Sequence, residues 1–106
     1  MADNSKHYDA VGKYVKKVDT ELVDKLAKTY RLALSKRDTQ LVACGQPKEL
    51  ETIKKNFLTK KLKLDITEKR MDNALEAVCK QMAEVSRRKS RLVFYYLLIK
   101  RLKASF

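Results

Sequence analysis

A chain of 106 residues has room for one domain, and an apolar share of 44% lets it close a core without disulfide staples or a metal. Two Gly and one Pro, against abundant Lys, Arg, Glu, Leu and Ala, favour helix nearly throughout and leave little for strands. The formal net charge of +12 bears on partners rather than on fold.

Tyr8, Val11, Val15 and Val18 recur at three- and four-residue steps, which predicts a first helix over residues 5–17 with one apolar stripe. Gly12 weakens it slightly. Asp19 can cap a second helix, in which Leu22, Val23, Leu26, Ala27, Tyr30 and Leu34 share a face. Residues 35–46 mix charged side chains with Leu41, Val42 and Ala43. They read as a loop with one short helical turn, stopped at Gly45. Pro47 suits the first helical position, where its missing N–H costs nothing, and Glu49 and Glu51 then meet the positive end of the helix dipole. That helix carries Leu50, Ile53, Phe57 and Leu58. Asp65 with Glu68 resembles a capping box opening a further helix, whose seam is Met71, Ala74, Leu75, Val78, Met82 and Val85. Cys79 lies beside that seam.

Residues 92–99 form an unbroken apolar and aromatic run fenced by cations on both sides. At about 100° per residue such a run surrounds the helix axis, so the last helix, from between residues 86 and 91 to about 103, should be enclosed on most sides. Val93, Phe94, Tyr95 and Tyr96 also suit a strand. No turn signal brackets them, however, and Leu102 continues the helical pattern. The run is far shorter than the roughly 20 residues that cross a bilayer. The expected fold is all-α, a compact single-domain bundle spanning residues 1–106, with about five helices around a buried C-terminal helix. Cys44 and Cys79, with no signal-like segment, read as reduced thiols of a cytoplasmic protein, and Cys79 as a small buried apolar group.

Two stretches are similar to a known family: Glu49-Leu-Glu-Thr-Ile-Lys-Lys-Asn-Phe-Leu-Thr-Lys-Lys-Leu-Lys-Leu64, and Lys89-Ser-Arg-Leu-Val-Phe-Tyr-Tyr-Leu-Leu-Ile-Lys100. They resemble a small bacterial family known as domain of unknown function 2853. The resemblance implies a compact all-helical protein of about this length with no assigned activity. The chain departs from the family pattern at Lys63, where a Gly is usual, and at Ser90, where a Tyr is usual.

Little in the sequence supports catalysis. Zinc takes about four Cys or His ligands, or three and a water, and only His7, Cys44 and Cys79 are available, none closely spaced. No metal or cofactor is expected. A nucleophilic cysteine needs a base, and the sole histidine is at the N-terminal end. Gly12 and Gly45 stand apart from any phosphate-loop pattern. Asp72 and Glu76, one turn apart, read as a solvated face.

The basic clusters carry more information. Arg87, Arg88, Lys89 and Arg91 crowd the start of the last helix, facing the positive end of its dipole, which costs about 0.3 to 1 kcal/mol each at low salt. A helix start rich in arginine is also a natural receptor for phosphate or carboxylate. The plainer reading is a screened turn, or pairing with Glu76 and Glu84. Lys54, Lys55, Lys60, Lys61 and Lys63 form a second cluster. Lys54 falls between Leu50 and Leu58 by helical angle, so its stem should lie along the core margin with the ammonium reaching outward. Tyr95 and Tyr96 belong to the core rather than to a base-stacking platform; Tyr8 and Tyr14 could be exposed.

Two non-enzymatic functions are compatible with this pattern. The first is a non-specific nucleic-acid or polyanion binder using both clusters, with strong salt dependence as its signature. The second is an adaptor or homo-oligomer, in which an apolar helix face meets another copy or an acidic protein partner and the charge serves solubility.

Overall fold

The computed structural model describes residues 5–36, 41–84, 90–104 and 106. The apolar run does what its composition requires. Residues 92–99 are all buried, Tyr95 being the most accessible at 6%, and they form the axis of helix α6 (Arg91–Leu102). Three helices pack on it: α1 (Ser5–Gly12), α2 (Thr20–Thr29) and α5 (Glu68–Ala83). Between them run α3 (Arg31–Ser35) and α4 (Pro47–Ile53), the latter passing without a break into a π-helical segment, Lys54–Lys61. The fold is all-α with a radius of gyration of 12.8 Å, close to the roughly 13 Å of a compact domain of this length. Among the described residues, no helix is long and apolar enough to cross a membrane.

Several boundaries differ from the sequence pattern, each for a physical reason. Helix α1 stops at Gly12, where the chain tightens into an i→i−3 bond from Tyr14 N–H to the Val11 carbonyl, 3.0 Å. Val15 and Val18 still pack against the core, but from a loop. The second helix breaks at Tyr30, whose backbone (φ −107°, ψ 24°) separates α2 from α3. That bend sets the Tyr30 ring edge-on to Tyr95, centroids 4.9 Å apart, and to Phe57 at 6.0 Å. Helix α5 starts two residues later than Asp65 would place it. Thr67 is the N-cap, its hydroxyl accepting from Arg70 N–H at 3.3 Å, so the Asp65 capping box does not form. Val85, expected to end the α5 seam, lies outside the described residues.

The π-helical segment solves a register problem. At about 100° per residue, Ile53 and Leu62 would face opposite ways on an α-helix. The wider turn, with i→i−5 bonds such as Leu62 N–H to the Phe57 carbonyl at 2.8 Å, brings Ile53, Phe57, Leu58 and Leu62 all into the core. Thr59 follows the same spacing, its hydroxyl donating to the Lys54 carbonyl at 3.0 Å. Two residues past the segment, Lys63 has φ 51°, a left-handed conformation that glycine adopts at no steric cost.

The cysteines correct the expectation of reduced thiols. Cys44 and Cys79 form a disulfide, their Cα atoms 5.9 Å apart, tying the segment before α4 to the flank of α5. A separation of 35 residues carries no pairing signal in sequence. In the chain-entropy picture, closing a loop of that length removes unfolded-state freedom worth roughly 3 to 4 kcal/mol.

Leu98 is completely buried in α6. Replacing it by Ala should lower the unfolding free energy in a denaturant melt by about 2 to 5 kcal/mol; a loss under about 1 kcal/mol would show that α6 is not the packed axis.

Candidate functional site

Arg91 opens α6 and turns inward instead of toward solvent. Its stem runs along the helix to Tyr95, one turn on, and its Nη1 donates to the Tyr95 hydroxyl at 2.9 Å. Nη2 donates to the Glu49 carboxylate and, at 3.5 Å, to the Leu41 carbonyl. The cation that violates the dipole preference at this helix start is thus answered from within the fold, by an acid in the first turn of α4. Burial works against the Arg91 charge, but Tyr95 and Glu49 outweigh it and hold the guanidinium protonated. The Tyr95 phenol is pushed up by the same burial, with Arg91 pulling it the other way. Its ring stacks on Phe57 at 3.9 Å between centroids. An isolated antiparallel bridge between Leu41 and Ser90 completes this junction.

Lys54 is likewise engaged. Only 8% of the residue is exposed, and its Nζ lies 3.1 Å from both Glu51 Oε2 and Asp72 Oδ1, joining the α4 segment to α5. Asp72 and Glu51 hold the ammonium above the ordinary lysine value. The stem lies against the core as its helical angle implies, and the charge ends on carboxylates.

The other end of α6 carries a third polar link. Tyr96 is buried, and its hydroxyl accepts from Asp19 N–H at 2.9 Å, at the very start of α2. Asp19 Oδ1 caps α2 by accepting from Leu22 N–H, and Oδ2 takes Lys100 Nζ at 2.9 Å. The hydrogen bond from Lys100, then that from Leu22 N–H, holds the Asp19 carboxyl below its usual range. Tyr8 hydrogen-bonds Asp24 and so fastens α1 to α2.

Of the expected anion-binding residues, Lys55, Lys60, Lys61 and Lys63 are exposed, all on or just after the π-helical segment. Lys61 also lies 5.4 Å above the Phe106 ring. Lys54 and Arg91 are internal links, not free receptors. Arg87, Arg88 and Lys89 fall outside the described residues. Tyr8 and Tyr14, considered above as exposed rings, are half-buried. Sequence reasoning missed the role of Glu49: it weighed Glu76 and Glu84 as partners of the arginine cluster, and nothing in the spacing pairs residues 49 and 91.

Near the disulfide, Cys44 and Cys79 line a groove of about 420 Å³ between α4 and α5, together with Lys54, Glu51, Asp72 and Glu76. Among the described residues, no buried side-chain nitrogen or oxygen lacks a partner.

A single all-helical domain with a high positive net charge is the class these features define. The chain belongs to the family described as protein of unknown function DUF2853, whose model matches residues 6–105. None of the curated proteins compared with the chain matches it.

The side chains of Arg91 and Glu49 are 11% and 25% exposed, which sets the scale of their pairing. Arg91→Met should destabilise by about 1 to 3 kcal/mol by leaving Glu49 and Tyr95 without their donor, and in a cycle with Glu49→Gln the coupling should reach about 1 kcal/mol. Coupling below about 0.3 kcal/mol would show that the two side chains act independently.

Proposed function

We propose that this protein is a non-enzymatic binder of polyanions, nucleic acid first among them, that uses the lysines of the π-helical segment. The observation that carries this reading is the exposed set Lys55, Lys60, Lys61 and Lys63, presented within nine residues that contain no acid. Phe57, Leu58 and Leu62 are buried, and these cations lie on the solvent side of the segment. Flexible ammonium groups on such a face suit a string of phosphates without base readout, because phosphate contacts position a protein but carry no sequence information. Arg87, Arg88 and Lys89 supply a second group of charges in the chain. The adaptor reading has less support: Leu32, at 73%, is the large hydrophobic left exposed among the described residues, and a single exposed leucine is ordinary on a monomer.

Fluorescence anisotropy with a labelled DNA or RNA oligonucleotide tests the proposal. Contacts from about four lysines should cost on the order of a hundredfold in affinity between about 50 and 200 mM salt. Changing Lys55, Lys60, Lys61 and Lys63 together to Gln should flatten that dependence. Absence of binding at about 50 mM salt, or a slope unchanged by the substitutions, would overturn the assignment.

A further inference from the structure

We propose that the Cys44–Cys79 disulfide is a thiol-exchange site, selective for thiols that carry no negative charge. Three observations lead there. First, both cysteines are half-buried in the wall of an open groove of about 420 Å³, packed against the margin of the core and not within it, so an external sulfur can approach. Second, the buried core, in which Leu26, Leu58 and Val78 close around Leu98 of α6, does not include the sulfurs, so opening the bond leaves the bundle's interior intact. Accessible disulfides are the exchangeable ones; shielded ones resist reduction. Third, the charged groups lining the groove are three carboxylates, Glu51, Asp72 and Glu76, against the single ammonium of Lys54, which two of them already hold. On a chain of net charge +12 this is an acidic enclave.

The exchange runs in two displacements. An external thiolate attacks one sulfur of the disulfide; a new bond forms between the two sulfurs, the Cys44–Cys79 bond breaks, and the other cysteine leaves with the electron pair as a thiolate and takes a proton from water. A second thiol then displaces the first from the mixed disulfide. Two external thiols are thereby oxidised to one disulfide, and the protein disulfide is reduced to two cysteine thiols. Each incoming thiolate brings negative charge toward Glu51, Asp72 and Glu76. A compensating ammonium on the same molecule relieves that repulsion, and an added sulfonate or carboxylate compounds it.

The test uses the oxidised protein and three monothiols: cysteamine, 2-mercaptoethanol and 2-mercaptoethanesulfonate. Rates of mixed-disulfide formation are followed by mass spectrometry, with far-ultraviolet circular dichroism reporting that the helices persist. Each rate is expressed per thiolate and divided by the rate of the same thiol with a neutral small-molecule disulfide. At about 0.1 M ionic strength, where the screening length of roughly 10 Å leaves the groove charges active and mutes distant ones, cysteamine should react roughly tenfold faster than the sulfonate, with mercaptoethanol between them. The spread should shrink in about 1 M salt and in Glu76→Gln. Equal rates, an order led by the sulfonate as the net charge alone would dictate, or modification only after the helical signal is lost would each overturn the proposal.

Discussion

Enclosing an eight-residue apolar run is the constraint around which the remainder of this fold is arranged. A helix buried on all sides cannot end where its apolar surface ends, because its termini expose unpaired backbone groups and its flanks carry the cations that fence the run. The bundle answers at both ends. At the start, Arg91 is drawn onto Glu49, Tyr95 and the Leu41 carbonyl. At the finish, Lys103 adopts a left-handed conformation, and Ala104 N–H returns to the Ile99 carbonyl at 2.9 Å, closing the last turn in a Schellman arrangement. The two tyrosines in the middle serve the same end: each buries a ring in the core and gives its hydroxyl a partner, Arg91 for Tyr95 and the Asp19 amide for Tyr96.

Among the described residues, this arrangement separates cations paired within the fold from cations left exposed. Arg91, Lys54 and Lys100 are each committed to a carboxylate that sits on a different element, so they cross-link α6 to α4, the π-helical segment to α5, and α6 to the start of α2. Arg91 and Lys54 are largely buried with their partners, whereas the Lys100–Asp19 pair is formed at the surface. The exposed lysines around the π-helical segment have a different relation to the fold, since the apolar residues interleaved with them supply the packing and leave the ammonium groups outside. A high net charge is therefore a poor guide to how many cations a ligand could meet. Burial and pairing have to be known residue by residue.

The contrast explains how far the sequence could be read. The all-α class, the enclosed last helix and the roles of Asp19 and Pro47 follow from local rules: apolar periodicity, capping chemistry and the low Gly and Pro content. The breaks at Gly12 and Tyr30 do not, because Val15, Val18 and Leu34 continue the helical spacing past both points and tertiary packing decides where the turn falls. The π-helical register was equally hidden, since Ile53 and Leu62 share a face only once the turn widens. At the candidate site, the lysine cluster could be listed from sequence, but the engagement of Arg91 by Glu49 and the Cys44–Cys79 bond join residues 42 and 35 positions apart. Contacts of that range leave no periodic trace.

Native-state hydrogen exchange, resolved by amide, tests the central role of α6 most directly. The amides of residues 95–99 should be the slowest in the protein and should exchange only through global unfolding, with opening free energies equal to that from denaturant melts. If those amides opened more readily than the seam of α5 around Leu75 and Val78, the C-terminal helix would be a cover laid on a core formed elsewhere.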